Sequence, residues 1–487
     1  MRWNNYSYKI ENGEVTLTRF EGGDTRVEIP HRIDGMPVTE IGPEAFSEYG
    51  LQVESVTVPE TVRKIGASAF KMCMNLQQLM LSEGLESIGE GMLYGTPLEE
   101  LYFPSTLKDI EGAWELGGLR WNIHEKNPWF STDGFALYKC DAGEKILLAV
   151  QPEENRSLYQ VEAGTGVIGQ SAFEGQKYLR HVDLPGSLRM IEEEAFESCQ
   201  SLEEIDLPEG VVKIGAEAFS HCANLRVLRL PASLEEIGHR AITNTYDWSY
   251  LKRGIEKIVV SSENLTYLAD ESALYRRLSN DTLELVKYFG DDAEYEVSDR
   301  VSVLSEYAFR RSVFRTLIIP DSVQIIQKDA VLECEKLEKI ILRKLDAHIF
   351  LPRTPVCRKD EVTKLLSDQG DLFWFEAYDR LFGTYFQLSD KAEFACTRLR
   401  YPVSLRSEIA GAYQRFLEKH RIEILDVIST QENADLLKKL TEIGFFTKDN
   451  IDAAIDRIGR SGKGKLTGFL MEYKRENIGT DDFDFSL

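Results

Sequence analysis

Ile191-Glu192-Glu193-Glu194-Ala195-Phe196 and Ile214-Gly215-Ala216-Glu217-Ala218-Phe219 are one phrase written twice, 23 residues apart. It is written again, at the same interval, as Ile168-Gly169-Gln170-Ser171-Ala172-Phe173 before them and Ile237-Gly238-His239-Arg240-Ala241-Ile242 after them. A period of this length marks a solenoid, in which each unit is one turn of the chain and buries its faces only against its neighbours. Between the anchors runs a second phrase, Leu202-x-x-Ile205-x-Leu207-Pro208 or Leu225-x-x-Leu228-x-Leu230-Pro231. Its apolar residues alternate before a proline that cannot donate a ladder hydrogen bond, so it reads as a short strand.

Each residue type has a mechanical reason. Ile and Phe point into the coil, Ala keeps the corner thin, and Gly at the second position suits a tight bend where a side chain would crowd the next coil. The same grammar begins earlier, at Ile41-Gly42, Ile65-Gly66, Ile88-Gly89 and Ile110. Residues 1–40 read as alternating strands, Tyr6–Ile10 and Val15–Thr18 about the Asn12-Gly13 turn, and supply the cap that a first coil needs. Two interruptions match each other: Asn127 through Ala136-Leu137-Tyr138 aligns with Asn264 through Ala273-Leu274-Tyr275, 137 residues on. Each precedes a turn and a second apolar run, so hairpins are expected near 127–150 and 264–288.

These phrases, the strand cap and the Ala-Leu-Tyr hairpins resemble the BspA-like leucine-rich repeat family over residues 1 to about 345. The resemblance implies an α/β leucine-rich repeat solenoid, right-handed, with one short parallel strand per coil of 22–24 residues and two inserted hairpins. The solenoid is assigned to 41–354. After Pro355 the apolar period changes from 2 to 3.6, and an all-α domain is expected over 355–480. Ser389-Asp390 is read as the cap of a helix through Arg400, and Thr447 as the N-cap of one carrying Ile451, Ala454, Ile455 and Ile458. Further helices are read at 405–420, 422–429, 433–443 and 465–477. Stretches 434–443 and 466–473 faintly resemble helices of degenerate ankyrin repeats. Asp481-Asp482-Phe483-Asp484-Phe485 is read as a disordered acidic tail.

The net charge is −24, and −19 of it lies before Asp360. Such a surface repels phosphate backbones and anionic lipid, which argues against nucleic acid and membrane as partners and is compatible with a basic one. The opening residues have no apolar core of signal-peptide length, and no stretch approaches 18 uncharged apolar residues, so a cytoplasmic location is expected. Four of seven cysteines, Cys73, Cys199, Cys222 and Cys334, follow the anchor Phe or Val by three residues. They repeat one interior slot and are expected to be buried thiols, not disulfides.

Catalytic signals are weak. Gly459-x-x-x-x-Gly464-Lys465 imitates a phosphate loop but continues with Leu466 where Ser or Thr would ligate magnesium, and it reads as a linker between helices. The histidines form no metal-binding pair, and no nucleophile elbow or dinucleotide motif is present. No catalytic residue, cofactor or metal is assigned. Asn155-Arg156-Ser157 and Asn264-Leu265-Thr266 match the glycosylation pattern, which matters only for a secreted chain.

Strand alternation locates the candidate surface. With Ile205 and Leu207 inward, Glu204 and Asp206 face the concave side. The same register brings out Gln78 and Met80, Glu100 and Tyr102, His181 and Asp183, Val227 and Arg229, Thr316 and Ile318. Met80, Tyr102, His181, Asp183, Glu204, Asp206 and Arg229 are the candidate binding residues. The expected function is a non-catalytic scaffold that binds a protein through this face or the helical end. The alternative is a secreted or surface adhesin binding glycan.

Overall fold

The computed structural model describes the chain except residues 48–49, 243–254, 353–355, 367–371, 384–386 and 480–487. The acidic tail therefore lies outside the described residues. The chain divides into two compact units, Met1–Ala269 and Asp270–Leu487.

In the first unit the inward Ile and Phe of successive anchors are buried in columns. Ile65, Ile168, Ile191 and Ile214 are fully enclosed. Phe173 stacks on Phe196 with centroids 4.7 Å apart, and Phe196 on Phe219 at 5.2 Å. Burying one such ring contributes about 1.5–3 kcal/mol, and only the neighbouring coil makes that burial complete. The Ala-Phe corners are themselves hydrogen bonded: the amides of Phe173, Phe196 and Phe219 donate to the carbonyls of Ala195, Ala218 and Ala241, each 2.8 Å away in the next coil.

The coil carries two strands where the sequence reading expects one. The longer is the Leu-Pro phrase: Glu204–Asp206, Val227–Leu230 and Lys257–Val260 pair in parallel. The second, only two residues long, ends on the anchor Ile, as in Met190–Ile191, Lys213–Ile214 and Glu236–Ile237. Two residues are too few to show alternation, so this ladder is invisible to periodicity.

The hairpins are starting blocks for coils rather than simple insertions. Ala136–Asp141 pairs antiparallel with Glu144–Val150, which then pairs in parallel with Thr165–Ile168. The N-terminal strands follow the same plan: Tyr6–Glu11 against Glu14–Phe20, then Glu14–Phe20 parallel to Met36–Ile41. In the second unit Ala273–Arg277, Leu283–Tyr288 and Val301–Leu304 repeat it. Bulges recur at matching points, between Ser7 and Tyr8, Leu137 and Tyr138, and Leu274 and Tyr275. The motif is thus used three times.

In the second unit the strand Ala347–Phe350 turns back antiparallel on Lys339–Leu342 and ends that unit's own ladder of Leu-Pro-type strands. The helices follow: α1 (Val356–Thr363), α2 (Phe375–Leu381), α3 (Leu388–Arg400), α4 (Ser407–Lys419), α5 (Arg421–Gln431), α6 (Ala434–Glu442), α7 (Ile451–Arg460) and α8 (Gly464–Tyr473). α3 is the centre of this group and is buried on all sides from Ala392 to Arg398. Tyr378 fastens α2 to the last strand: its hydroxyl donates to Phe350 O (2.7 Å) and accepts from Phe350 N (2.9 Å). Two caps differ from the sequence reading. Ser389 and Asp390 lie inside α3, whose N-cap residue is Gln387, and Asp390 is buried. Asn450, not Thr447, opens α7; its amide reaches back, accepting from Thr447 N (2.8 Å) and donating to Phe445 O (3.0 Å).

Candidate functional site

The strands of the longer ladder present their alternate residues outward, because their inward neighbours are consumed by the core. In Glu204–Asp206, Ile205 is buried and both acids are exposed. In His181–Asp183, Val182 is buried, Asp183 exposed and His181 half-buried. Met80 is 50% exposed, while Tyr102 is half-buried and its ring meets His124 edge-on at 6.4 Å. One outward assignment differs. Ile318 is buried, between Glu296 and Ile341 on the flanking strands, and Glu296 reaches past it to Arg343 at 2.6 Å.

The structure joins three of the candidate residues. Arg229 Nη1 lies 2.6 Å from Asp206 Oδ1 and 3.1 Å from Glu204 Oε2, one rung away. The two carboxylates hold the Arg229 guanidinium above its ordinary range, Asp206 foremost. All three are exposed, so the cluster shapes the surface more than it stabilises the fold. Met80 and Tyr102 lie on the strands Gln78–Met80 and Glu100–Phe103, before the first hairpin, while the other five lie after it. The candidate stripe therefore falls into two groups.

Beside Asp183 the first hairpin leaves a cavity of about 570 Å³, within the range of small-ligand sites. Its polar wall is Asp133, Gln160, Glu162 and Asp183, and its apolar wall includes Val161, Leu184 and Pro185. Asp133 holds the hairpin in shape: Oδ1 accepts from the amides of Phe135 (2.8 Å) and Ala136 (2.7 Å), and Oδ2 from the Tyr159 hydroxyl (2.8 Å). Tyr159 in turn hydrogen bonds Tyr138. Burial, then these partners, push the Tyr159 phenol far above its usual range, so it stays protonated as a donor. Asp133 and Glu162 were not singled out from sequence, although Asp133 aligns with Asp270 in the matched interruptions.

The other motifs resolve as structural. Residues 461–463 form a turn between α7 and α8, with helix and not strand before the glycine-lysine string. Asn264 is buried: its amide donates to Pro231 O and Leu234 O and accepts from Thr266 N and Tyr267 N. Asn127 makes the matching four bonds, to Pro104 O, Leu107 O, Trp129 N and Phe130 N. Asn155 is exposed. The thiols of Cys199, Cys222 and Cys334 donate to the carbonyls of Phe173, Phe196 and Phe309 in the preceding coil at 3.0–3.1 Å. Six cysteines among the described residues are free. Among these residues no three acids, histidines or cysteines converge as a metal site, and no helix is long and apolar enough to cross a membrane.

Coils of this period, with a Leu-Pro strand and an Ile-Gly-x-x-Ala-Phe corner, define a leucine-rich repeat protein. The chain belongs to the BspA type leucine rich repeat region family, whose model matches six copies over residues 26–114, 155–267 and 293–350. Among solved structures it is similar to a leucine rich cell surface protein of Faecalibacterium prausnitzii A2-165 (19% identity, 70% of this chain and 75% of that one, TM-score 0.34). It is also similar to leucine-rich repeat proteins of Eubacterium ventriosum (14%, 68% and 81%, TM-score 0.36) and Bacteroides ovatus (16%, 71% and 95%, TM-score 0.38). No curated protein matches the chain.

Proposed function

We propose that the protein is a non-catalytic interaction scaffold that binds another protein through the outer face of the longer strand ladder. The observation that carries this reading is the division of labour along Glu204–Asp206 and its neighbours. Inward residues are wholly used by packing, whereas Asp183, Glu204, Asp206 and Arg229 are used by none of it. Charged and aromatic residues held on rigid strands suit protein recognition, and the acidic balance favours a basic partner. The reading places the protein in the cytoplasm, a reducing compartment that suits the six free cysteines among the described residues.

Affinity purification from native extract, with mass spectrometry, tests it. The combined variant Tyr102→Ala, Asp206→Ala and Arg229→Ala is expected to lose a partner that the wild type recovers. An unchanged set of partners overturns the reading. Fractionation separates it from a surface adhesin, which would leave the cytosolic fraction.

A further inference from the structure

We infer that the cavity beneath the first hairpin receives an arginine side chain of the partner protein. The inference rests on the scaffold reading and names the chemistry of one contact within it. The second hairpin supplies a comparison inside the same chain. There Asp270 accepts from the amides of Ser272 (2.9 Å) and Ala273 (2.8 Å), and from the hydroxyl of Tyr275 (2.8 Å), which pairs with Tyr295. The Asp and two Tyr of the first hairpin are thus retained in the second and belong to the architecture of the motif.

The remaining acids of the cavity are not retained. Gln160 pairs with Asp183 across the ladder, and the matching rung pairs Glu296 with Ile318. Ile318 therefore stands where the first copy has Asp183, and Ser298, two residues beyond Glu296, stands where it has Glu162. The fold forms the same hairpin, turn and ladder with Ile and Ser at these positions. Forming the hairpin and ladder does not account for Asp183, whereas Glu162 answers Lys145, a position that Leu283 occupies in the second copy.

The charges around the cavity favour a cation. Lys145 lies 2.6 Å from Glu162 and 4.7 Å from the centre of the Tyr138 ring. Arg189 donates to the carbonyls of Leu188 (3.1 Å) and Gly186 (3.4 Å) at the cavity's edge. Asp133 is occupied by its turn and by Tyr159. Asp183 has no ion-pair or side-chain hydrogen-bond partner among the described residues and is exposed toward the cavity mouth. A guanidinium can engage Asp183 and share Glu162 with Lys145, while its methylene stem lies along Val161, Leu184 and Pro185.

The test is isothermal titration of the full chain with acetyl-Gly-Arg-Arg-Gly-amide, with the norleucine-for-arginine peptide and spermidine as comparisons. Saturable binding of the arginine peptide alone is expected. It should weaken at least tenfold in Glu162→Ser with Asp183→Ile, the pair of residues that the second copy carries. Asp183→Asn, nearly isosteric, should weaken it several-fold and covers the case in which the double variant folds poorly. Absent or non-saturable binding, binding unchanged in Asp183→Asn, or equal binding of spermidine overturns the inference. These substitutions share no residue with Tyr102, Asp206 and Arg229, so failure here is distinct from failure of the scaffold reading.

Discussion

Arg398 and Asp379 meet through two parallel contacts, Nε to Oδ1 at 2.7 Å and Nη2 to Oδ2 at 3.0 Å, with the arginine side chain wholly buried. The guanidinium also donates to the carbonyls of Tyr401 and Val403, and Tyr413 donates its hydroxyl to Asp379. Every strong polar group is thus answered, the condition under which a buried pair is tolerated. Arg398→Met leaves Asp379 buried without its cation, and the unfolding free energy of the second unit should fall by about 3–5 kcal/mol in urea denaturation. Adding Asp379→Leu should recover much of that loss, because the cost lies in the stranded charge.

A Cβ on Gly238 would lie 2.5 Å from Ala216 N and Gly215 C, backbone atoms of the preceding coil and not, as the sequence reading expects, of the next one. Gly238→Ala is therefore expected to destabilise the first unit by about 1–3 kcal/mol through overpacking. Gly118→Ala, where no atom lies within 4 Å, should move the melting temperature little. Two coils that lack this glycine use the side chain instead: Glu192 accepts from Gln170 N at 3.0 Å and Gln327 from Glu306 N at 2.9 Å. Glu192→Ala should accordingly cost about 0.5–1.5 kcal/mol by the same melting measurement.

Burial, then the carboxylates of Glu194, Glu174 and Glu217, push Glu197 up to about 7. Burial raises Glu115 to about 7 as well. A carboxyl whose pKa is higher folded than unfolded binds its proton more tightly in the native state. Its stabilising contribution is present in full below about 4.5 and is lost as pH rises through about 7. Thermal melts between pH 5 and 8 should show the wild type losing stability on the alkaline side. Glu197→Gln should flatten that slope and gain about 1 kcal/mol at pH 8, the full shift being discounted for solvent screening. An unchanged slope would remove Glu197 from the account.

Burial pushes the thiols of Cys73 and Cys334 up to about 12 and, with Cys222 beside it, holds Cys199 well above the ordinary range. Thiolate is the reactive form. Native labelling with iodoacetamide at pH 8, followed by peptide mass mapping, should modify the exposed Cys140. Cys73, Cys199, Cys222, Cys334 and Cys396 should stay unmodified until denaturant is added.

What could be read in advance follows the reach of each signal. Ile214, Phe219 and Ile205 declare their burial because their period repeats, and Glu204 and Asp206 declare their exposure by alternating with them. Where a signal was short or non-local, reading stopped. The strand Lys213–Ile214 has two residues, and α2 is a seven-residue helix whose aromatic packing hides its period. Glu194, Glu217 and Ser171 hold left-handed backbone at the corners, with φ of 57°, 53° and 53°. Ordinary propensity assigns such angles to Gly or Asn. Ile318 alternates like its neighbours, yet pairing in space buries it. The cavity needs Asp133, Glu162 and Asp183 together, from a hairpin, a turn and a strand.

Asp206 and Arg229 are 23 positions apart in the chain but adjacent across a rung, as are Gln160 and Asp183. Parallel strands lie about 4.8 Å apart, so a ligand touching three rungs reads single letters from three distant sentences. No short linear fragment contains such a surface. Overlapping-peptide arrays, and antibodies raised against peptides, are therefore blind to it, and its recognition belongs wholly to the folded chain.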